Sequence, residues 1–225
     1  MKGTAVLRRQ MLAREARVVV VGQGYVGLSL ACAAAEAGFP VIGVDVDNRR
    51  VAGLRAGETV PGVAPDVVST AVSTGLLDFV TDTAPVAEAR LVFICVPTPL
   101  REGTPDLSFV DGAAGAVAER LAPGTLVVLE STTYPGTTDE RVRPELERSG
   151  LAAGKDFLLA YSPERIDPGN TEFAFREVPR VVGGSTPEAT GLATLFYNNS
   201  WTRWCPSHPA GPPSSPSCWR TRSVT

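Results

Sequence analysis

The stretch "RVVVVGQGYVG" (Arg17 to Gly27) constrains this chain more than any other. A continuous β-branched run reads as a strand buried on both faces, the kind found inside a parallel sheet. Gly22, Gly24 and Gly27 follow it at once in G-x-G-x-x-G spacing, and an apolar helical pattern begins at Val26 and runs to Ala37, ended by Gly38 and Pro40. Strand, glycine turn and helix in that order can make a tight turn and let the backbone approach a ligand closely.

The helix amino terminus after such a turn offers unpaired N–H groups and the positive end of a dipole, which suits a pyrophosphate. Asp45 closes a second apolar run, "VIGVD" (Val41 to Asp45), where a carboxylate can hold adenosine ribose hydroxyls. The reading is therefore a dinucleotide cradle built from Gly22, Gln23, Gly24, Tyr25, Val26, Gly27 and Asp45. The carboxylate would repel a 2′-phosphate, so NAD is favoured over NADP. Arg49 and Arg50 lie close by and keep NADP open, Arg50 being counted with the cofactor residues. A glycine turn that serves packing alone is the alternative.

The rest of the chain supports an α/β fold: a Rossmann-like, doubly wound, mostly parallel sheet with helices on both faces. Helices are expected near Asn48 to Ala56, Asp66 to Thr74 and from Ser108, as cap, to about Leu121. Further strands are expected near Asp78 to Thr81, in "LVFICVP" (Leu91 to Pro97), "TLVVLES" (Thr125 to Ser131), "FLLAYS" (Phe157 to Ser162) and "RVVGG" (Arg180 to Gly184). The expected division is an extension over 1–16, the dinucleotide-binding domain over 17–197, and a disordered tail over 198–225.

Composition removes several function classes. With 225 residues and a net charge of −3, the chain has no field to gather nucleic acid or an anionic membrane surface, and no apolar run approaches a membrane span. The first residues lack the apolar core of a secretory signal, so a cytoplasmic protein is expected. Cys32, Cys95, Cys205 and Cys218 show no paired spacing and there is one histidine, so no metal site is expected. Cys95 and Cys32 read as core residues.

Four stretches fall at predicted strand ends, where open α/β sheets bind ligands. They are "CVPTPL", "ESTTYPGTT", "AYSPERIDPGN" and "VVGG". With these, residues 17 to 197 resemble the UDP-glucose/GDP-mannose dehydrogenase family, most of all its UDP-N-acetylglucosamine 6-dehydrogenase branch. The resemblance implies oxidation of a nucleotide-sugar C6 alcohol to a carboxylate in two steps with two NAD⁺, through a thiohemiacetal and a thioester on a cysteine.

Carried over motif by motif, the resemblance makes Val96, Pro97 and Thr98 line the dinucleotide and puts Ser131 and Thr132 beside the nicotinamide and the reacting carbon. It makes Glu164 the residue that handles water and protons, with Arg165 as a contact to the UDP-sugar substrate. Thr132 and Glu164 are thus the catalytic candidates. On the residues alone, Ser131 and Thr132 could hydrogen-bond a loop, and Glu164 after Pro163 could be a solvated turn. Pro168 stands where glucose-type relatives often carry a second acid, which argues against glucose. The resemblance also implies homo-oligomers and a role in surface-polysaccharide precursors. Another hydroxyacid dehydrogenase, or an NAD-binding module without activity, are the other readings.

Residues 201–225 hold all three tryptophans, the histidine (His208) and Cys205 and Cys218, with Pro and Ser between them. One allowed set of codons from Tyr197 onward, read one base out of phase, gives QQLVDAVVPVSSGRAAELAKLLENTFR. That matches the family's next segment, a helix with a Lys and an Asn. The tail is therefore expected to be a frameshift product, and a chain without that Lys, that Asn and the nucleophilic cysteine is expected to lack turnover. A Pro/Ser-rich disordered extension is the alternative.

Overall fold

The computed structural model describes residues 2–164 and 180–200. Helix α1 (Lys2–Leu12) leads into β1 (Val18–Val21), α2 (Tyr25–Glu36) and β2 (Val41–Val44), followed by α3 (Asn48–Arg55), α4 (Pro65–Ser73) and β3 (Leu77–Val80). After a 3-10 turn over Ala84–Glu88 the chain returns as β4 (Leu91–Ile94) and then makes a small hairpin of β5 (Leu100–Arg101) and β6 (Thr104–Pro105). Helix α5 (Ser108–Ala118) and β7 (Leu126–Leu129) come next, then a π-helical turn (Thr138–Val142) running into α6 (Arg143–Glu147). The last elements are β8 (Leu158–Tyr161), β9 (Gly183–Gly184) and α7 (Pro187–Ser200).

Among the described residues, seven strands form one sheet in the order β3-β2-β1-β4-β7-β8-β9, all parallel except β9, which runs antiparallel to β8. The chain leaves β1 toward β2 and β3 on one side and comes back to β4, β7 and β8 on the other. The order therefore reverses between β1 and β4, where Val18 to Val21 pair with Leu91 to Ile94. Strand β1 is buried along its whole length because both faces are covered. Val18 and Val20 join the core shared with α1, α2, α4 and α7, whereas Val19 and Val21 join the one shared with α5 and α6.

The expected elements are present, with two local differences. Ser108 is the first helical residue of α5 and not its cap: the Asp106 carboxylate accepts its backbone N–H at 3.0 Å, so the turn is held from two residues earlier. The expected strand over Arg180 to Gly184 is shortened to its last two residues. Strand β8 ends at Tyr161, which pairs with Gly183, so among the described residues 180–182 have no strand opposite them, and beyond Gly183 the Gly184 N–H is turned to the Thr190 hydroxyl at 2.9 Å. No helix of the described residues is long and apolar enough to cross a membrane.

Candidate functional site

Five loops leave the carboxyl ends of parallel strands on one edge of the sheet: Gly22 to Gly24, Asp45, Cys95 to Thr98, Glu130 to Thr133 and Ser162 to Glu164. The glycine turn sits at the reversal of strand order. Gly22 has φ +92° and its backbone passes against Cys95, whose carbonyl oxygen would lie 2.7 Å from an added Cβ. A side chain at Gly27 would overlap the Gly22 carbonyl, so α2 can approach the turn only at glycine.

Gly24 differs from both. Its φ of −78° suits any residue, and a Cβ there would meet no protein atom within 4 Å. The space over the first turn of α2 is open, and a dinucleotide pyrophosphate fits that cradle. Tyr25 and Val26 pack against the core, and Tyr25 also lies against Gly62, where a Cβ would come within 2.6 Å of its ring. Gln23 is fully buried, its side-chain amide donating inward to the Val20 carbonyl at 2.7 Å, so it supports the turn from below.

Asp45 is 5% exposed and held by three donors. Its Oδ2 accepts the Gln23 N–H at 2.8 Å and the Arg50 guanidinium at 3.0 Å, and its Oδ1 accepts the Asp47 N–H at 3.0 Å. The carboxylate is thereby fixed beside the glycine turn. Arg50, counted above as a possible phosphate contact, is turned to Asp45, an arrangement that suits a ribose diol better than a 2′-phosphate.

The loops after β4 and β7 are stitched together. Ser131 donates its hydroxyl to the Val96 carbonyl at 2.7 Å, and Thr98 donates to the Thr132 carbonyl at 2.8 Å. Val96 and Thr98 are partly buried, while Pro97 and Thr132 are exposed. The Ser131 hydroxyl thus fixes a loop, and Thr132 presents its side chain on the open edge.

Beneath these loops lies a cluster that sequence reasoning missed. Glu130, Arg180 and Tyr197 are each fully buried. Arg180 Nη1 donates to Glu130 Oε2 at 2.6 Å, Nη2 forms an ion pair with Glu164 Oε2 at 2.6 Å, and the Tyr197 hydroxyl donates to Glu130 Oε1. The guanidinium also lies 5.8 Å from the Tyr197 ring centre. Burial pushes the Glu130 carboxyl upward against the opposing pull of Arg180 and Tyr197. Burial works against the Arg180 charge, but Glu130 and Glu164 outweigh it and hold the guanidinium protonated. Cys95 stands next to this cluster, and burial with help from Glu130 pushes its thiol well up, so it stays protonated. The one signal in the sequence was a lone arginine at the head of an apolar run, which points equally to a strand end.

Arg165 and the remainder of "AYSPERIDPGN" lie outside the described residues, as do Cys205, His208, Cys218 and the tail. Among the described residues no cluster of His, Cys, Asp and Glu could hold a metal ion.

Comparison with known proteins fits this geometry. The sequence model of the UDP-glucose/GDP-mannose dehydrogenase family, NAD binding domain, matches residues 16–200. The chain is 36% identical over 188 residues to a UDP-N-acetyl-D-glucosamine 6-dehydrogenase of Pseudomonas aeruginosa, covering 82% of this chain and 43% of that protein. The solved UDP-D-ManNAc dehydrogenase of Pyrococcus horikoshii superposes with a TM-score of 0.78 at 33% identity, over 84% of this chain and 46% of that one. The NDP-N-acetyl-D-galactosaminuronic acid dehydrogenase of Methanosarcina mazei does so with 0.81 at 30% identity, over 89% and 46%. The chain spans less than half the length of the curated relatives it matches. A glycine turn at the strand-order reversal, a buried Asp45 beside it and a match across nearly all described residues place this chain in the UDP-glucose/GDP-mannose dehydrogenase family, as its NAD-binding domain.

Proposed function

We propose that this chain is the NAD-binding half of a nucleotide-sugar 6-dehydrogenase that converts the C6 alcohol of a UDP-N-acetylhexosamine to a carboxylate. What supports the reading most is that the glycine cradle and the Glu164 carboxylate share one edge of the sheet, bridged by the stitched loops after β4 and β7. The balance is RCH₂OH + 2 NAD⁺ + H₂O giving RCOO⁻, 2 NADH and 3 H⁺. Bound NAD⁺ supplies the hydride acceptor.

The protein's own residues do the remaining work. Gly22, Gly24 and Gly27 admit the pyrophosphate, Asp45 takes the ribose hydroxyls, and Val96 to Thr98 form the wall. Ser131 holds that wall in place, while Thr132 faces the reacting carbon. Glu164, anchored yet at the rim, takes and returns protons for the alcohol and the attacking water. Arg165 contacts the sugar nucleotide. Less than half of the relatives' length is present, so the 225-residue chain alone binds NAD without turnover.

Calorimetric titration of the chain with NAD and NADP, beside an assay for NADH with UDP-N-acetylglucosamine and UDP-N-acetylmannosamine, tests this. NAD should bind at least about tenfold tighter than NADP, a difference of about 1.4 kcal/mol, with no sustained NADH formation. Steady turnover would refute the half-site reading, and oxidation of simple hydroxyacids in place of the sugars would refute the substrate class.

A further inference from the structure

The buried cluster under the loops contains more chemistry than the fold needs. Two carboxylates, Glu130 and Glu164, meet a single guanidinium, and the three groups come from separate parts of the chain: the end of β7, the end of β8, and the segment leading into β9. Glu130 is fully buried and saturated, with Arg180 on one oxygen and the Tyr197 hydroxyl on the other. Glu164 keeps 7% exposure of its side chain and reaches the rim. Its backbone N–H is tied to the Glu130 carbonyl at 3.3 Å. Among the described residues, Cys95 from the end of β4 is a further titratable neighbour, and it stays a neutral thiol.

Arg180 is itself clamped. Its planar fork has one nitrogen on an immovable carboxylate, and its face is turned toward a tyrosine ring. Tyr197 is locked in turn by Phe93 and Phe196, with ring centres 6.3 and 5.4 Å away. The second nitrogen therefore has little freedom, and Glu164 meets it at a fixed point. The shared guanidinium ties the outer carboxylate to the deeper one at a set distance, which suits a carboxylate that must keep one place while it carries protons.

We propose that Arg180 is the positioning residue of Glu164, held in register by Glu130 and by Tyr197 of α7, so that the last helix of the domain sets where the proton-handling carboxylate stands. The inference rests on the role given to Glu164 above. It predicts an asymmetry: lysine is a compact point charge that cannot bridge two carboxylates as a fork does. In Arg180→Lys the deeper carboxylate keeps the cation and Glu164 loses it.

The test uses the 225-residue chain labelled with carbon-13 at the glutamate side-chain carboxyls, with NAD present. The Glu130 and Glu164 resonances are identified from Glu130→Gln and Glu164→Gln. In Arg180→Lys the Glu164 resonance should move by more than its linewidth and broaden while that of Glu130 stays, and NAD affinity should remain within about twofold because the cradle lies on other strands. In Tyr197→Phe, which removes one hydroxyl, the Glu130 resonance should move and Glu164 should follow to a smaller extent. A Glu164 resonance that coincides with wild type in Arg180→Lys overturns the proposal. If that variant does not fold, Tyr197→Phe decides alone, and movement of Glu130 with Glu164 unmoved overturns it. A purely structural arginine would lower the melting temperature without selecting Glu164. No turnover is measured, so failure here is distinct from failure of the proposed reaction.

Discussion

At the residue scale the three glycines of the turn have different duties, and substitution separates them. Gly24→Ala adds a methyl group where no protein atom lies within 4 Å and where φ is ordinary, so the melting temperature should barely change. The methyl fills the cradle, so NAD affinity should fall at least about tenfold, or about 1.4 kcal/mol, in a calorimetric titration. Gly27→Ala drives a methyl into the Gly22 carbonyl and pushes α2 off the sheet. Overpacking of this kind costs about 1–3 kcal/mol, and a lowered denaturant midpoint should accompany lost binding. Equal stability in the two variants would contradict this division. The spacing showed all three glycines, but it could not rank them, because the rank depends on which atoms surround each Cα after folding.

At the element scale, helix starts tie stability to acid pH. Asp47 caps α3 by accepting the N–H groups of Arg49 and Arg50, and these bonds hold its carboxyl below the ordinary value of 3.8. Asp106, through the hydroxyl and backbone N–H of Ser108, is lowered in the same way at the start of α5. A carboxyl lowered on folding contributes stability above its unfolded value, and loses it as pH falls through the folded one. Asn caps nearly as well as Asp but does not titrate there. Asp47→Asn and Asp106→Asn should therefore keep the melting temperature at neutral pH and flatten its decline below pH 3.8, as followed by circular dichroism. An undiminished decline would mean that other carboxylates govern acid unfolding. The helix over Asn48 to Ala56 was legible because its apolar spacing is regular. The π-helical turn and α6 were not, since Pro144 and Gly136 interrupt the pattern, and the bend is held by the packing of Val142 and Leu146 in the core.

At the scale of the whole molecule, the first and last helices of the described residues close on each other. Leu7 and Met11 of α1 are buried in the same core as Phe196 of α7, and Arg14 lies 4.8 Å from the Phe39 ring centre while donating to the Asn199 carbonyl at 3.4 Å. The family match begins at residue 16, so α1 is a brace outside the matched domain. Leu7→Ala should cost about 2–5 kcal/mol in chemical denaturation, as expected for a fully buried leucine. A loss near zero would show that α1 frays without consequence for α7.

The sequence by itself determined the alternation of strand and helix, the glycine turn and the acid at the end of the second strand. Each depends on local periodicity or on a backbone conformation that few residues adopt. Only the tertiary structure decided that Ser131 fixes a loop, that Arg50 turns to Asp45, and that Glu130, Glu164, Arg180 and Tyr197 form one buried cluster. Those groups are far apart along the chain, with no spacing to betray them. They meet because parallel strands deliver every carboxyl end to the same edge, where a charge removed from water must find its partner.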